Sequence, residues 1–336
     1  MFIVICVINL IPKMFTHKDI EYRSLFVIDC LKEKTLRVCN GELLLENKED
    51  CKTLTKLPFQ KILALFIIGH IHITTPLIDK CRKYNVALIV VSPSLRPVFF
   101  WALSAEGNFL LRQKQYSYEK DNLSIAGHLV WNKIKNQWSN LKNTRCKDEQ
   151  TLKTMDRCYS ILNSEILKNC NYTQLLSIEG NISKIYFETY FRDFNWQGRK
   201  PRLKRDMINC ALDIGYTILF NYIEVFVRMF GFDPYIGVYH RLWFKRKSLI
   251  CDLVEPFRCI IDKTVRKGIR LKQIKESDFR IYKGEYRLKV ENNTAYCSLF
   301  YGELIKYKTK VFRYIQSYYR CFMQNKAIKF YPLFEL

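Results

Sequence analysis

Alternating apolar and polar positions dominate the first hundred residues. The segments YRSLFVID and TLRVC alternate as half-buried strands do, and NGELLLENKED turns at Asn40-Gly41 into another short apolar run. KILALFIIG and NVALIVVSPS are continuous apolar segments of strand length, and TTPLIDKCRKYN between them has helical spacing. The pattern predicts a compact unit of mostly β character over residues 1–100.

Helical periodicity replaces this alternation after Gly107. Apolar positions recur at helical spacing over 109–135, 145–170, 173–195, 205–231, 248–267 and 298–325. The segment KESDFRIYKGEYRLKVENN could instead form a small hairpin around Lys283-Gly284 or an exposed loop. We therefore predict an α+β fold, with an N-terminal β-rich domain over 1–100, a C-terminal all-α domain over 101–336 and a linker near 97–108.

The net charge indicates a polyanionic partner. The chain has 55 Lys and Arg against 32 Asp and Glu, a formal net charge of +23. Nucleic acid is the first candidate and an anionic membrane surface the second. No segment has the basic amphipathic pattern with aromatic residues that lipid binding requires, so we expect no membrane association.

Cysteine usage indicates a reducing compartment. There are 13 cysteines, an odd number, and no two form a C-x-x-C pair, which argues against a structural zinc site. The opening MFIVICVINLIP is apolar but has no basic n-region and is too short to span a bilayer. We expect reduced thiols and a cytoplasmic location.

Three separate segments of the helical region carry unusual polar residues. SLICDLVEPFR carries Asp252 and Glu255 on one helical face, followed by Pro256, which predicts a kink or a helix start. Glu179 lies in the apolar helix SIEGNISKIYFETYF, and GFDPYIGVYH ends in His240. Two carboxylates and an imidazole can form an open, oxygen-rich site for Mg²⁺ or Mn²⁺.

Simpler interpretations stay open for each of these residues. His240 could be structural, and Glu179 could lie on a helix surface. Asp252 and Glu255 could pair with Arg258 or with a lysine. Motifs from one sequence give many false positives, so the three segments count only in combination.

Basic runs flank the candidate ligands and are the predicted DNA-binding residues. They comprise Arg199, Lys200, Arg202, Lys204, Arg205, Lys245, Arg246 and Lys247, together with Arg258. Such residues supply phosphate contacts, and the interleaved aromatic residues Trp196, Tyr239, Trp243 and Phe244 could stack on unpaired bases. A solvated basic face is the alternative for any single run.

The order of these motifs resembles the CRISPR adaptation integrase family. The matching residues are Glu179-Gly180, Asp206-x-x-Asn209, Gly231-x-x-Pro234-x-x-Gly237-x-x-His240 and Ser248-Leu249-x-x-Asp252-Leu253-x-Glu255-Pro256-Phe257-Arg258. The resemblance implies a metal-dependent DNA endonuclease and integrase that joins prespacer 3′-hydroxyl ends to the repeat boundary of a CRISPR array by transesterification. It also implies an N-terminal dimerisation domain, a C-terminal catalytic and DNA-binding domain, a homodimer, and a small second protein of the adaptation module that bridges two dimers.

The resemblance further implies a ligand set. Glu179, His240 and Glu255 are the expected metal ligands, and Asp252 is a fourth acid near the metal. Many family members carry Asp at the position of Glu255, so which of Asp252 and Glu255 coordinates the metal stays open. A branched-DNA nuclease or transposon-type integrase, and a non-catalytic DNA-bridging scaffold, are the alternative functions.

Overall fold

The computed structural model describes residues 17–30, 34–101, 108–119, 122–145, 147–201 and 203–336. The strands of this described part are β1 (Ser24–Cys30), β2 (Lys34–Cys39), β3 (Glu42–Asn47), β4 (Thr53–Pro58), β5 (Ile62–Gly69), β6 (Ala87–Val91), β7 (Pro97–Trp101), β8 (Phe279–Tyr282) and β9 (Glu285–Leu288). Its helices are α1 (His17–Tyr22), α2 (Thr75–Tyr84), α3 (Phe109–Tyr116), α4 (Ser124–Lys142), α5 (Glu149–Leu162), α6 (Ile166–Asn169), α7 (Tyr172–Tyr190), α8 (Met207–Met229), α9 (Ser248–Val254), α10 (Arg258–Arg270), α11 (Asn293–Leu304) and α12 (Lys308–Met323).

Two sheets form the N-terminal part, as predicted. One sheet has the order β1-β5-β6-β7, with β1, β5 and β6 parallel and β7 antiparallel to β6. The other is the antiparallel meander β2-β3-β4, whose first turn has Asn40 at φ 49° and Gly41 at φ 82°. Both residues must adopt positive φ in this tight turn, which is why Asn-Gly stands there.

The predicted linker near 97–108 is partly wrong. Residues 97–101 form β7 and pair with β6, because the run Val98-Phe99-Phe100 has the β-branched and aromatic residues that suit an edge strand. Residues 102–107 lie outside the described part of the chain. The division into domains at 100 and 101 stays a prediction.

Helices pack around α8, which is buried on nearly all sides. By length and composition α8 could cross a membrane, but 78% of its apolar window is buried inside the protein, as in a core helix. One face of the β1-β5-β6-β7 sheet joins the same hydrophobic core, and the rings of Phe66 and Tyr301 lie 4.4 Å apart there. The sheet and the helices therefore share a continuous core.

The predicted helices are interrupted at several places, among them 145–170 between α5 and α6 and 248–267 between α9 and α10. The predicted helix 109–135 breaks between α3 and α4, where the Asn122 side chain accepts hydrogen bonds from Ser124. The final predicted helix 298–325 is divided into α11 and α12 by a 3₁₀ turn at Ile305–Tyr307. The predicted hairpin is present as β8–β9, so the C-terminal part is helical apart from this hairpin.

Two helical glycines give a test of this packing. A Cβ at Gly127 would overlap the carbonyl oxygen of Leu167, whereas a Cβ at Gly302 meets nothing within 4 Å. We expect Gly127→Ala to lower the free energy of unfolding by about 1–3 kcal/mol through overpacking. Gly302→Ala, the matched control, should raise it by about 0.5–1 kcal/mol. Urea denaturation measures both, and a Gly127→Ala protein as stable as the parent would contradict the packing of α4 on α6.

Candidate active site

The buried carboxylate of Asp252 organises the loop that carries His240. Asp252 is 0% exposed. Its Oδ2 accepts hydrogen bonds from the backbone N–H groups of Val238 (2.6 Å) and Tyr239 (3.1 Å). Its Oδ1 accepts from the backbone N–H of His240 (2.9 Å) and from His240 Nδ1 (2.7 Å). A carboxylate has about four acceptor positions, so these four hydrogen bonds satisfy Asp252 completely.

Gly237 allows this close approach between the loop and α9. A Cβ at Gly237 would overlap Asp252 Oδ2 and would lie 2.8 Å from the carbonyl carbon of Ser248. The backbone N–H of Leu249 also donates to the carbonyl oxygen of Pro234 at 3.0 Å. The glycine, the proline and the aspartate of the sequence motif thus belong to one packing arrangement.

The ring of His240 lines a cavity and is held from one side by Asp252. Since Asp252 accepts the hydrogen bond from Nδ1, the neutral imidazole carries its hydrogen on Nδ1 and keeps a lone pair on Nε2. A carboxylate bonded to the far nitrogen is the usual support for a histidine that ligates a metal. The ring of His240 is tilted against that of Tyr239, with centroids 5.0 Å apart.

Glu255 has different partners from Asp252, and a change of helix type separates the two residues. α9 ends at Val254, a 3₁₀ turn covers Glu255–Phe257, and α10 begins at Arg258. Pro256 has no N–H for a continuous α-helix, which confirms the predicted break. The two acids are three residues apart in sequence but take different surroundings.

The Glu255 carboxylate is buried among cations. Arg258 Nε donates to Oε1 at 2.9 Å, and Lys133 Nζ lies 2.8 Å from Oε2. Burial alone would raise the pKa of Glu255, but Arg258 and Lys133 outweigh it and lower the pKa to about 2. Lys133 is thus the ion-pair partner of Oε2, as Arg258 is the hydrogen-bond donor to Oε1.

Glu179, on α7, is the other glutamate that contacts Lys133. Its Oε1 forms an ion pair with Lys133, and its Oε2 accepts a hydrogen bond from the Tyr239 hydroxyl at 2.5 Å. The loop held by Asp252 therefore supplies both His240 and the tyrosine that orients Glu179. Gly180 beside it has open space on its side-chain face.

Lys133 was not predicted, and it is the cation that faces both glutamates. It is 7% exposed. Burial alone would lower the pKa of Lys133, but Glu179 and Glu255 raise it by more, so the pKa lies above its ordinary value. A sequence signal for it exists, since buried polar residues recur at helical spacing on α4: Asn132, Lys133, Asn136, Gln137 and Asn140.

Glu179, His240 and Glu255 line one cavity of about 520 Å³, which we call the acidic cleft, and Asp252 does not line it. No three His, Cys, Asp or Glu side chains are grouped closely enough to hold a metal ion in the part of the chain that the structure describes. The donor types nevertheless suit a hard divalent cation, since two carboxylates and an imidazole line the same cavity. Coordination by both glutamates requires the Lys133 ammonium to release them.

Arginine side chains and a buried acid form another wall of the acidic cleft. The guanidinium groups of Arg258 and Arg199 lie 4.7 Å and 5.5 Å from the ring centroid of Tyr216. The hydroxyl groups of Tyr216 and Tyr186 donate to Asp262. Burial raises the pKa of Asp262 to about 6 despite these hydrogen bonds. Asp262 was missed because a single acid in an amphipathic helix gives no sequence signal.

The predicted DNA-binding residues fall into three groups. Arg199 and Lys200 line the acidic cleft, with Arg199 paired to Asp213 at 2.5 Å. Lys247 pairs with the buried Glu224 at 2.7 Å, and Arg258 with Glu255, so both have carboxylate partners within the chain. The remaining residues are on the surface or partly buried: Lys204, Arg205, Lys245 and Arg246. Arg202 lies outside the described residues.

Two of the four candidate stacking residues are free for a ligand. Trp196 packs between the rings of Phe187 and Phe191, and Tyr239 is buried against Glu179. Trp243 and Phe244 are 78% and 82% exposed, immediately after His240. Both of these aromatic side chains are therefore exposed to solvent rather than buried in the protein core.

Known proteins are similar to this chain over most of its length. The family model described as CRISPR associated protein Cas1 matches residues 30–301. A CRISPR-associated endonuclease Cas1 of Thermodesulfovibrio yellowstonii is 32% identical over 234 residues, which covers 66% of this chain and 73% of the relative. A CRISPR-associated endonuclease Cas1 of Korarchaeum cryptofilum is 27% identical over 259 residues, covering 70% and 75%.

Solved structures share the fold. A casposase bound to integration product has a TM-score of 0.74 at 19% identity, covering 93% of this chain and 94% of the casposase. A Cas1 protein from Thermotoga maritima has a TM-score of 0.73 at 16% identity, covering 89% and 97%. A chain of a Cas6-RT-Cas1–Cas2 complex has a TM-score of 0.75 at 20% identity, and the match spans 94% of this chain but 36% of that longer one.

Amide hydrogen exchange can distinguish the structural roles of Asp252 and Glu255. Asp252→Asn removes an acceptor from the loop, and charge-assisted hydrogen bonds contribute about 1.5–3 kcal/mol each. We expect amide exchange at 238–240 to accelerate about 10- to 150-fold, as the corresponding free-energy loss implies. Glu255→Gln, the matched control, should leave these amides unchanged because Glu255 bonds none of them.

Gly237→Ala provides a second perturbation of the same loop. The Gly237→Ala protein keeps the Asp252 carboxylate, but the added methyl group displaces it from the backbone amides. Amide exchange at 238–240 should therefore accelerate in this variant too. Slow exchange at 238–240 in both variants would contradict the role assigned to Asp252.

Proposed function

Because the chain belongs to the Cas1 family of CRISPR-associated proteins, we propose that it is a divalent-metal-dependent DNA endonuclease and integrase that inserts prespacers into a CRISPR array. The observation that carries the proposal is the acidic cleft, where Glu179, His240 and Glu255 converge beside Arg199 and Lys200. The net charge of +23 favours a nucleic acid as the substrate.

The proposed metal ligands are Glu179, His240 and Glu255, with Mg²⁺ or Mn²⁺ as the ion. Bound there, the ion would supply Lewis-acid polarisation of a phosphodiester and charge stabilisation of the leaving oxygen. Asp252 acts as a positioning residue, since it fixes the His240 ring with its Nε2 lone pair available. Tyr239 orients Glu179 by donating a hydrogen bond to it.

The remaining cleft residues would bind the DNA. Arg199 and Lys200 are placed to contact phosphates, and Trp243 and Phe244 can stack on bases that leave the duplex near the cleft. Lys133 would balance the charge of the two glutamates when no divalent ion is present.

The proposed reaction is a transesterification. The oxygen of a prespacer 3′-hydroxyl forms a bond to phosphorus at the repeat boundary, and the bond from that phosphorus to the 3′-oxygen of the flanking strand breaks. The hydroxyl proton leaves to solvent and the departing 3′-oxygen gains one. One phosphodiester replaces another, so no covalent enzyme intermediate or nucleotide cofactor is needed.

The proposed assembly is a homodimer that works with a small second protein of the adaptation module. Family membership supports this, as does the shared fold with a chain of a Cas6-RT-Cas1–Cas2 complex. We also propose a cytoplasmic location, consistent with unpaired thiols at the described cysteines.

A transposon-type integrase is the second candidate, because a casposase bound to integration product shares the fold over 93% of this chain. The two candidates differ in target. An adaptation integrase requires a CRISPR repeat and the small partner, whereas a transposon-type enzyme requires neither. A non-catalytic scaffold would show no metal-dependent strand transfer at all.

Strand transfer of a labelled duplex into a repeat-containing plasmid tests the proposal. We expect products only with Mg²⁺ or Mn²⁺ and only with the partner protein present. His240→Ala and Glu255→Ala should abolish transfer while the DNA dissociation constant changes less than about threefold, because basic residues carry most of the affinity. Unchanged transfer by a folded His240→Ala protein would overturn the proposal, and equal transfer into a repeat-free plasmid would favour the second candidate.

A thermal-shift measurement tests the metal site without activity. Lys133→Met leaves Glu179 and Glu255 without their shared cation, and breaking such a buried pair costs about 3–5 kcal/mol. We expect a low Tm for Lys133→Met in EDTA and a larger rise with Mn²⁺ than the parent protein shows, because the ion stabilises the folded state that binds it.

Lys133→Met/Glu255→Gln serves as the control for this measurement. It lacks a proposed ligand and should show little rise of Tm with Mn²⁺. A Lys133→Met protein whose Tm does not respond to Mn²⁺ would contradict metal binding between the glutamates.

A further inference from the structure

A second cavity lies outside the acidic cleft, and we call it the hairpin cavity. Its volume is about 510 Å³, and its walls are the turn before β7, the chain around Lys204 and the hairpin β8–β9. Four basic side chains and one acidic side chain line it: Arg96, Lys204, Arg280, Arg287 and Glu285. The hairpin and Arg96 were not among the residues predicted to bind DNA.

The two arginines of the hairpin lie opposite each other, and acidic side chains neutralise their charge only weakly. Arg280 on β8 is directly opposite Arg287 on β9. Arg287 has a single weak ion pair, to Glu285 at 3.5 Å, and no carboxylate within the described chain forms an ion pair with Arg280. Like charges directly opposite each other destabilise an antiparallel pair, and a two-stranded sheet has little stability to lose. An external anion would relieve this repulsion.

The walls of the hairpin cavity are tied to one another. The backbone N–H of Tyr286 donates to the carbonyl oxygen of Lys204 at 2.6 Å. Asn293 Nδ2 donates to the carbonyl oxygen of Pro93 at 2.5 Å. The thiol of Cys210 on α8 donates to the carbonyl oxygen of Tyr286 at 3.2 Å. The basic side chains thus project from a preformed frame.

The hairpin cavity and the acidic cleft are lined by residues that lie close together in the sequence. Pro201 lines the acidic cleft and Lys204 lines the hairpin cavity. Three residues span at most about 11 Å, so one nucleic-acid backbone can contact both places. An acidic protein segment could bind in the hairpin cavity alone, so the short distance to the acidic cleft would have no use for it.

We propose that the hairpin cavity binds the phosphodiester backbone of DNA beyond the acidic cleft, through Arg280 and Arg287 with Arg96 and Lys204 beside them. Guanidinium groups hold phosphates through paired hydrogen bonds and fix the register of a duplex without reading its sequence. The inference rests on the proposed function for the identity of the polyanion. It adds a positioning site for the same substrate.

The test is the salt dependence of duplex binding by Arg280→Gln/Arg287→Gln, measured by fluorescence anisotropy with a 30-base-pair DNA in EDTA. Loss of two phosphate contacts should weaken binding by about 10-fold or more near 0.1 M salt and reduce the slope of log K against log salt by about 2. Lys153→Gln/Lys168→Gln, which removes two exposed lysines on other helices, is the charge-matched control and should change affinity and slope less.

Other outcomes would overturn the inference. Binding by the arginine variant equal to that of the lysine control would overturn it, even with strand transfer intact. A fall in Tm would show that the arginines are structural, since removal of like charges should leave Tm unchanged or raise it. Unchanged DNA binding with lost binding to polyglutamate would assign the cavity to an acidic protein. Because these assays need no metal, failure of strand transfer would affect the proposed function alone.

Discussion

The site depends on one carboxylate, that of Asp252. Its oxygens accept three backbone N–H groups and one imidazole N–H from residues 238–240. A buried carboxylate is tolerated only when it is paired or fully hydrogen-bonded, and these four bonds meet that requirement. Gly237 must lack a side chain so that the loop can reach Asp252. The position of His240, and through Tyr239 that of Glu179, follows from this interaction.

Charge balance determines the rest of the cleft. Glu255 and Glu179 face each other across Lys133, and Arg258 holds the other oxygen of Glu255. The two carboxylates thus share one lysine, which is also the ion-pair partner of Oε2 of Glu255. Lys133 and Arg258 together lower the pKa of Glu255 to about 2 against the effect of its burial. These partners also explain why Asp252 and Glu255, three residues apart, have separate tasks.

Periodicity predicted much of the fold. Alternation identified β1 to β3, and continuous apolar runs identified β5 and β6. The segment around Lys283-Gly284 was left open between a hairpin and a loop, and the structure has the hairpin. β7 was assigned to a linker because its pairing with β6 is a tertiary contact that single-segment patterns do not reveal. Pro256 correctly predicted the break after α9, since a missing N–H acts locally.

The site was predictable only in part. Motif order placed Glu179, His240 and Glu255 together, and all three line the acidic cleft. Lys133 was missed because its partner Glu179 is 46 residues away, on another helix. Lys247 was predicted to bind DNA, but its partner Glu224 is 23 residues away on α8, a tertiary contact that the sequence pattern does not reveal. The pairing of Arg258 with Glu255, three residues apart, was one of the alternatives open from the sequence. The hydrogen bonds of Asp252 to the loop amides could not be predicted, because backbone N–H groups carry no side-chain signal in the sequence.

The position of a bound ion tests the central claim most directly. Crystals grown with Mn²⁺ would reveal it through anomalous scattering. We predict a peak in the acidic cleft beside His240 Nε2 and the Glu179 and Glu255 carboxylates, with Asp252 still bonded to the amides of residues 238–240. A peak at the Asp252 carboxylate, with those amide bonds broken, would contradict the account.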